Sequence, residues 1–582
     1  MLSILEKRKL IKLIDVAAGR KKADLVLKNA KIVDVFQAKI LIGDIAISDG
    51  YIAGIGGSYQ GVEERNYTGK YVAPGFIEAH IHIESSYVSP EEFSRVFIPR
   101  GTTTILADPH EIVNVAGLKG LDYMVNAAKN AKMDIRYMMP PCVPATNFET
   151  SGADLYADDM EDALKTGEVD GLAELMNFPG VINADDKMID EILMAKKYDA
   201  RIDGHAPQVV GKDLNAYIAA GPANDHECST LEEAEERLAR GMYLLLREGS
   251  VTQDLRKLLP IVNTANSRRC LLSGDDVQAK TAINKGHLDN SIRICIDEGL
   301  NPITAIQMVT LNPAEYCGLN DRGAIAPGRR ADMVVFESLE DFTVEETYIL
   351  GEKLSQGNKY LGEVNYYPID SVESSMHVKD FTREKLQLHL NSDKVRAIGV
   401  VPGEVLTTEE HVTVKRDGDG NFVYNDQEDV TKIVVVERHH NTGNVNVNLL
   451  SGYGIKAGAI AISIGHDSHN IIATGTNDDD IFMAVNELIK QEGGAVVVKD
   501  EKVISRMELK IAGLMCNLPA EKMIAQQDAL DEAVHEELGV PDNVNPVMTL
   551  SFMPLAVIPK LKITDKGLVD VEKNAFVSNE LD

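Results

Sequence analysis

The chain has 582 residues, of which 44% are hydrophobic and 26% are charged, and its formal net charge is −31. One hydrophobic core rarely serves so many residues, so we expect two or three domains, and this composition argues against extensive disorder. Binding to a nucleic-acid backbone requires clustered lysine and arginine, so the strong negative charge disfavours a nucleic-acid partner.

The N-terminal segment carries charged residues early and lacks the apolar core of a signal peptide. An amphipathic pattern predicts a helix over residues 4–18. Period-two alternation with Asp-Gly and Gly-Gly turns predicts several short strands between residues 23 and 72. We therefore assign residues 1–72 to an N-terminal helix and the first part of a small β-sandwich domain.

Residues 73–320 show short apolar strands that end in polar side chains and are followed by helical patterns. Such strand–helix units, repeated over about 250 residues, indicate an α/β fold with a (β/α)8 barrel of the TIM type. Chemistry in that fold lies at the C-terminal ends of the strands. The sequence places there His80, His82, Asp108, His110, Glu174, His205, His226 and Asp275.

Strand character returns near residues 323–336, so we expect segment 321–378 to rejoin the N-terminal strands in the β-sandwich domain. Residues 379–582 are predicted to form a C-terminal α/β domain. Its strands are expected near residues 432–437, 458–464 and 495–499, and its helices near 481–490 and 519–538.

The six cysteines are scattered and form no Cys-x-x-Cys pair, which favours free thiols in a reducing compartment over a disulfide framework. No stretch approaches the roughly 18 uncharged apolar residues of a membrane span. We therefore expect a cytoplasmic protein without a membrane partner.

A His-x-His pair, His80 and His82, ends the apolar segment Pro-Gly-Phe-Ile-Glu-Ala-His-Ile-His. Side chains alternate along a strand, so both imidazoles lie on one face and can bind one cation. The pair alone is a weak signal, because two surface histidines give the same pattern. The chain has only 14 histidines, and further histidines and acids end later strands. The set predicts a metal centre, and the sequence leaves open whether Asp275 or Asp276 is a ligand.

These ligand positions resemble the amidohydrolase superfamily, and the segment at residues 327–336 is typical of its small β domain. The fourth barrel strand of that superfamily often supplies a carboxylated lysine. Here Glu174 takes that place, and a carboxylate can bridge two cations. The segment that begins at Glu174 resembles the adenine deaminase family, as do residues 108–115, 224–228 and 465–470. That resemblance spans nearly the whole chain.

The resemblance implies hydrolytic deamination of adenine to hypoxanthine and ammonia, in purine salvage, with two divalent metal ions as cofactors. Manganese or iron is implied, and the nitrogen and oxygen ligands also suit zinc. A homodimer is the expected assembly. The implied metal ligands are His80, His82, Glu174, His205, His226 and Asp275.

A metal-bridged hydroxide would attack C6 of adenine, and Asp275 would carry a proton from that hydroxide to the departing amine. His110 and Glu111 are the candidates for protonating the purine ring. The residues expected to hold the substrate are Asp108, Glu84, Asp276, His466, Asp467 and His469. The histidines at positions 466 and 469 could also lie in a polar turn without a role in binding.

Two other functions remain open at this point. A binuclear amidohydrolase that acts on a cyclic amide or ureide would share most of these ligands, although a lysine at the Glu174 position would favour it. A metal-free scaffold usually lacks several ligands, whereas this chain retains them. The zinc deaminase signature that begins with His-x-Glu is incomplete, because the second cysteine after Pro141 and Cys142 is missing.

Overall fold

The computed structural model describes residues 4–581, which form a β domain, a barrel and a C-terminal domain. The helix Ile4–Ala17 packs beside a nine-stranded sheet whose strands come from both sides of the barrel. The strand Met333–Phe336 pairs antiparallel with Tyr71–Pro74 and so returns the chain to this sheet. The strands of the sheet are Ala23–Asp34, Lys39–Ser48, Tyr51–Gly56, Gly61–Asn66, Tyr71–Pro74, Met333–Phe336, Glu346–Ile349, Glu352–Gln356 and Lys359–Tyr360.

The predicted barrel is confirmed, with eight successive strand positions and helices around them. Asp275–Asp276 pairs in parallel with the first strand, Phe76–His82, and so joins the last strand position to the first. The remaining strands are Thr102–Ala107, Asp134–Tyr137, Gly171–Leu175, Arg201–Gly204, Asn224–Asp225, Tyr243–Arg247 and Cys270–Ser273.

Helices follow the barrel strands and bury one face each. The helix Leu231–Ala239 begins with a capping box, in which the Thr230 hydroxyl accepts from the Glu233 amide and the Glu233 carboxylate accepts from the Thr230 amide. The helices are Pro90–Phe97, His110–Ala116, Leu118–Ala128, Ala157–Thr166, Phe178–Ile182, Asp186–Lys197, Gly211–Ala220, Leu231–Ala239, Leu255–Leu258, Ala279–Asn284, Leu288–Asp297, Pro302–Met308 and Leu311–Tyr316. Short 3-10 turns are Glu84–Ser86, Ile98–Arg100, Leu259–Ile261 and Ser267–Arg269.

The C-terminal domain is built on an eight-stranded sheet. In spatial order its strands are Thr407–Thr413, Lys394–Val400, Val445–Ser451, Val430–Val436, Ile471–Gly475, Ala459–Ile462, Gly494–Lys499 and Lys502–Glu508. The smaller strands are Lys415–Arg416, Phe422–Val423, Leu561–Thr564, Gly567–Asp570 and Ala575–Val577. The helical elements are Arg383–Leu386, Asp478–Gln491, Ala520–Glu532, the π-helical turn Ala533–Glu537 and Pro546–Ser551.

The C-terminal domain covers the barrel at the end where the strands terminate. One buried apolar cluster contains residues of both units, and the backbone of Cys516 bonds to that of Tyr87 and Ser89. The Asn470 amide donates to the Thr150 carbonyl across the same boundary at 2.8 Å. The loop formed by residues 466–470 therefore lies over the barrel mouth. Within residues 4–581, no helix combines the length and the apolar character needed to cross a bilayer.

Candidate active site

The first group of side chains in the barrel mouth contains His80, His82 and Asp275, all buried. Asp275 Oδ1 lies 3.4 Å from His80 Nε2 and 3.2 Å from His82 Nε2. His82 Nδ1 lies 3.1 Å from the Asp108 carbonyl, which orients the ring so that Nε2 faces the mouth. Asp275 has a φ of 58°, a left-handed conformation that a short polar residue tolerates better than most residues.

Glu174 lies between this group and the histidines of strands five and six. Its Oε1 is 3.4 Å from His82 Nε2, and its Oε2 is 2.8 Å from His205 Nδ1 and 3.1 Å from His226 Nε2. Burial by itself would raise the pKa of Glu174, but hydrogen bonds from His205 and His226 outweigh it and hold that pKa well below the ordinary value. The carboxylate therefore presents one oxygen to each group of imidazoles.

The spacing of these atoms fits divalent cations. Ligand atoms at 2.0–2.2 Å around one tetrahedral cation lie about 3.3–3.6 Å apart. The Glu174 contacts with His82 and the Asp275 contacts with His80 fall in or close to that range, at 3.4 Å each. His80 Nε2 is buried and forms no hydrogen bond with any residue of the described chain. The donor set and this unpaired nitrogen fit divalent metal ions.

Two residues of the mouth, Arg247 and Glu227, were not anticipated from the sequence. Arg247 ends the seventh strand and donates from Nη1 to Asp275 Oδ2 at 2.9 Å and from Nη2 to Glu227 Oε2 at 3.1 Å. Glu227 Oε1 also lies 3.2 Å from His226 Nε2. Burial favours a higher pKa for Glu227, but the charge of Arg247 and the neighbouring histidines bring it to about 2. The position of Arg247 at a strand end was a signal available in the sequence.

Glu111 joins the barrel to the 466–470 loop. Its Oε1 lies 2.7 Å from His466 Nδ1, and its Oε2 contacts His469 Nε2. His110 Nε2 is 3.4 Å from Glu111 Oε1 and 3.6 Å from Asp467 Oδ1. Burial would raise the pKa of Glu111, yet the charges of His466 and His469 hold it well below its ordinary value. The loop thus contributes side chains to the mouth and is more than a surface turn.

The other expected substrate contacts are distributed around this cluster. Asp108 Oδ2 lies 3.2 Å from His110 Nδ1, and Asp276 accepts a hydrogen bond from the Ser85 hydroxyl. Glu84 Oε1 accepts from the Ile112 amide at 3.2 Å, and burial together with the charge of Glu111 raises the pKa of Glu84 to about 7. Asp275 contacts the histidines of the first strand, whereas Asp276 turns towards Ser85.

A cavity opens over the two groups. Its polar side contains Glu174, Asp275, Asp276 and His466. Phe552 stacks on His466 with ring centroids 4.6 Å apart. The apolar wall comprises Met176, Val405, Phe552, Leu555 and Ile558. A cavity with an apolar wall and converging polar groups suits a small, flat heterocycle.

A buried network beneath the mouth ties the first strand to the last, and no sequence pattern singled it out. Glu78 Oε1 accepts from the His80 amide at 3.1 Å and from the Ser273 hydroxyl at 2.9 Å. Glu78 Oε2 accepts from the Gly274 amide at 2.8 Å and lies 3.0 Å from His287 Nε2. A Cβ at Gly274 would approach His287 Nε2 to 2.9 Å, so a glycine is needed here. The network fixes the turn that presents Asp275.

Comparisons with known proteins agree with this geometry. Residues 71–354 match the amidohydrolase family, and residues 404–575 match the adenine deaminase C-terminal domain. The chain is 98% identical over 578 residues to an adenine deaminase of Ligilactobacillus salivarius, covering 99% of this chain and 100% of that one.

More distant relatives match over a similar length. The chain is 54% identical to adenine deaminase 2 of Desulfotalea psychrophila, covering 99% of this chain and 100% of the relative. It is 42% identical to an adenine deaminase of Clostridium acetobutylicum, covering 97% of this chain and 99% of the relative. The chain therefore belongs to the adenine deaminase family and is a metal-dependent hydrolase of the amidohydrolase fold.

Proposed function

We propose that this protein hydrolyses adenine to hypoxanthine and ammonia in purine salvage. The observation that supports this most directly is the position of Glu174, whose two oxygens face two groups of buried imidazoles. A glutamate bridge distinguishes this site from the lysine-based sites expected of enzymes that open cyclic amides. Full-length similarity to proteins named adenine deaminase supports the same substrate.

We assign the metal ligands by group. His80, His82 and Asp275 would hold one divalent cation, His205 and His226 the other, and Glu174 would contact both. When bound, two such cations would supply a water of lowered pKa as the nucleophile near neutral pH. The ligand set has nitrogen and oxygen atoms without thiolate, which suits manganese or iron and also accommodates zinc.

Asp275 is proposed to move the proton of the attacking water. Its Oδ2 is held by Arg247 at 2.9 Å, so its Oδ1 stays turned towards His80 and His82. A carboxylate fixed in this way can accept a proton and pass it to the departing amine. Arg247 orients Asp275 and also balances its charge and that of Glu227.

Glu111 and the 466–470 loop are proposed to protonate the purine ring, which makes C6 a better electrophile. Burial lowers the pKa of His466, but the charge of Glu111 and its hydrogen bond raise it to about 8. His466 is therefore largely protonated at neutral pH and can supply a proton through Glu111. His110 and Asp467 complete this side of the cavity.

The ring itself is proposed to lie along Phe552 and the apolar wall. The polar residues assigned to its edges are Asp108, Glu84, Asp276, His466, Asp467 and His469. We further propose a cytoplasmic location and a homodimer, the latter to be tested by analytical ultracentrifugation.

The decisive experiment is an ammonia-release assay on protein produced with added Mn²⁺. Adenine, adenosine and hydantoin are offered at equal concentration, and hydantoin opening is followed by acid release. We expect ammonia from adenine and far less from adenosine. Turnover of hydantoin without adenine would contradict the proposal and favour a cyclic amide.

A Glu111→Gln variant tests the second proton path. It should keep both metal ions and lower kcat roughly 10²–10⁴-fold, the usual contribution of a general acid. Loss of the metals would instead show that Glu111 acts through the ligand groups.

A further inference from the structure

The segment formed by residues 437–440 follows the strand Val430–Val436 and has no part in the chemistry above. Its most unusual member is Arg438, which is fully buried. No carboxylate of the described chain forms an ion pair with it, and burial lowers the pKa of its guanidinium to about 9. A buried arginine without a carboxylate is costly, so its contacts call for an explanation.

Arg438 donates to three separate segments, through two backbone carbonyls and one serine hydroxyl. Its Nε donates to the His469 carbonyl, its Nη2 to the Ala512 carbonyl at 3.0 Å, and its Nη1 to the Ser375 hydroxyl at 2.8 Å. Its own amide donates to Asn470 Oδ1 at 3.2 Å. The guanidinium thus ties the 466–470 loop to two other parts of the C-terminal domain.

Neighbouring side chains reinforce this attachment. His439 Nε2 lies 2.7 Å from the Ser468 carbonyl, so this nitrogen carries the proton and donates. The Glu437 carboxylate accepts from the amides of His440 at 2.6 Å and Thr442 at 2.9 Å, which fixes the turn after the strand. Three consecutive residues therefore hold the loop or the turn that supports it.

The same segment also reaches the helix that carries Glu111. His440 Nε2 lies 2.8 Å from the Ser151 carbonyl, and the Ser151 hydroxyl is 2.8 Å from Asn114 Oδ1. Asn114 in turn donates to the His110 carbonyl at 2.9 Å. The segment therefore contacts the supports of both partners, the loop histidines and the Glu111 helix.

We propose that Arg438 is a positioning residue for the reaction, because it fixes the backbone at His469 and so keeps His466 and His469 against Glu111. This inference rests on the proposed role of Glu111. His469 has a φ of 54°, a left-handed conformation that other contacts must hold in place. Arg438 supplies such a contact at the carbonyl of that residue.

Arginine suits this position better than lysine. A planar guanidinium presents several donors in a fixed fork, whereas an ammonium is a single point. Gly513 makes room for it, since a Cβ there would lie 3.0 Å from Arg438 Nη1. Arg438→Lys should therefore restore only part of the contacts that Arg438→Met removes.

The test compares Arg438→Lys and Arg438→Met with Arg322→Met as a matched control. Arg322 is a buried arginine that donates to Thr104 at 2.9 Å, at the beginning of the second barrel strand. For Arg438→Met we expect two bound metals, a KM for adenine within about threefold of wild type, and a kcat lower by roughly 10²-fold. The kcat of Arg438→Lys should lie between the values of the wild type and of Arg438→Met. Arg322→Met should lower Tm while kcat stays unchanged.

A double-mutant cycle shows whether Arg438 acts through Glu111. If it does, Arg438→Met should cause little further loss of kcat in a Glu111→Gln background. Independent losses that multiply, or a wild-type kcat for Arg438→Met, would overturn the inference. A kcat loss that matches the loss of bound metal would overturn it as well, because the role would then be structural.

Two further measurements keep the test decisive. Should Arg438→Met not fold, His439→Leu is the alternative, because it removes only the contact with the Ser468 carbonyl. It should lower kcat about 3–10-fold at unchanged metal content, in line with the loss of one neutral hydrogen bond. An unchanged kcat would contradict the inference. Wild-type protein without adenine turnover would refute the proposed function, whereas active wild type with a fully active Arg438→Met refutes only this inference.

Discussion

Glu174→Gln is the most informative single substitution, because it keeps the shape of the side chain and removes its charge. The carboxylate receives two short contacts at one oxygen, 2.8 Å from His205 and 3.1 Å from His226. In the metal-loaded enzyme these imidazole nitrogens would face a cation that Glu174 contacts as well. Loss of even an outer partner of a metal ligand costs about 10–100-fold in metal affinity or activity, so removing the charge of this shared ligand should lower kcat/KM at least roughly 10²-fold.

The assay is ammonia release from adenine with metal content measured on the same sample. Glu191→Gln is the matched control, because Glu191 is fully buried outside the site and burial raises its pKa to about 9. Glu191 is therefore already neutral at pH 7, and its substitution should leave kcat/KM unchanged. The bridging role would be refuted by a Glu174→Gln variant that binds two metals and retains more than about a tenth of wild-type activity, given the loss expected above.

Two further predictions concern other buried charges. Arg247→Gln should lower kcat at least 10-fold and lower Tm, because breaking a buried ion pair costs about 3–5 kcal/mol; an unchanged kcat would exclude its role in orienting Asp275. Lys562 is fully buried against the carbonyls of Val405 and Phe552, and burial lowers its pKa from 10.5 to about 7. Between pH 7 and 10.5 the Lys562 amine is protonated in the unfolded chain but not in the folded chain. The free energy of unfolding of the wild type should therefore rise with pH in this range. Lys562→Met should remove this dependence, so that its stability relative to wild type falls by about 2 kcal/mol between pH 7 and 9 in urea unfolding; a pH-independent difference would contradict the shifted pKa.

The sequence predicted the barrel and the strand ends because their signals are local. A strand followed by a helix leaves a pattern within some 30 residues, and a polar residue at the strand end is visible in the same window. His80, His82, His205 and Asp275 were all found in this way. Their mutual distances depend on closure of the barrel, which the pairing of Asp275–Asp276 with the first strand provides.

Individual side-chain contacts between distant segments could not be predicted. Glu111 and His466 are 355 positions apart, and nothing in either local pattern indicates that they meet. Arg438 follows the end of an ordinary strand, and its proposed role depends on its contacts with the 466–470 loop, which no local pattern indicates. Glu78 stands two residues before His80 in the sequence. Its partners Ser273 and His287 belong to the last barrel strand and the segment that follows it, far away along the chain.

Metal ions should also stabilise the fold, for a reason visible in the mouth itself. His80 Nε2 is buried without a hydrogen-bond partner in the described chain. Such an atom costs about 1–3 kcal/mol unless a cation binds to it. The Glu78 network and Arg247 hold the last strand and Asp275 in place from below.

Chelation followed by dialysis should therefore abolish adenine turnover and lower Tm by roughly 2–6 °C, with Mn²⁺ restoring both. Glu174→Gln should show a smaller rise in Tm on adding Mn²⁺, because the bridge between the two groups has lost its charge. Equal Tm values for chelated and Mn²⁺-treated wild type would mean that the buried His80 Nε2 finds a hydrogen-bond partner without a cation. The metal would then serve the chemistry alone, and the rigidity of the ligand groups would derive entirely from Glu78 and Arg247.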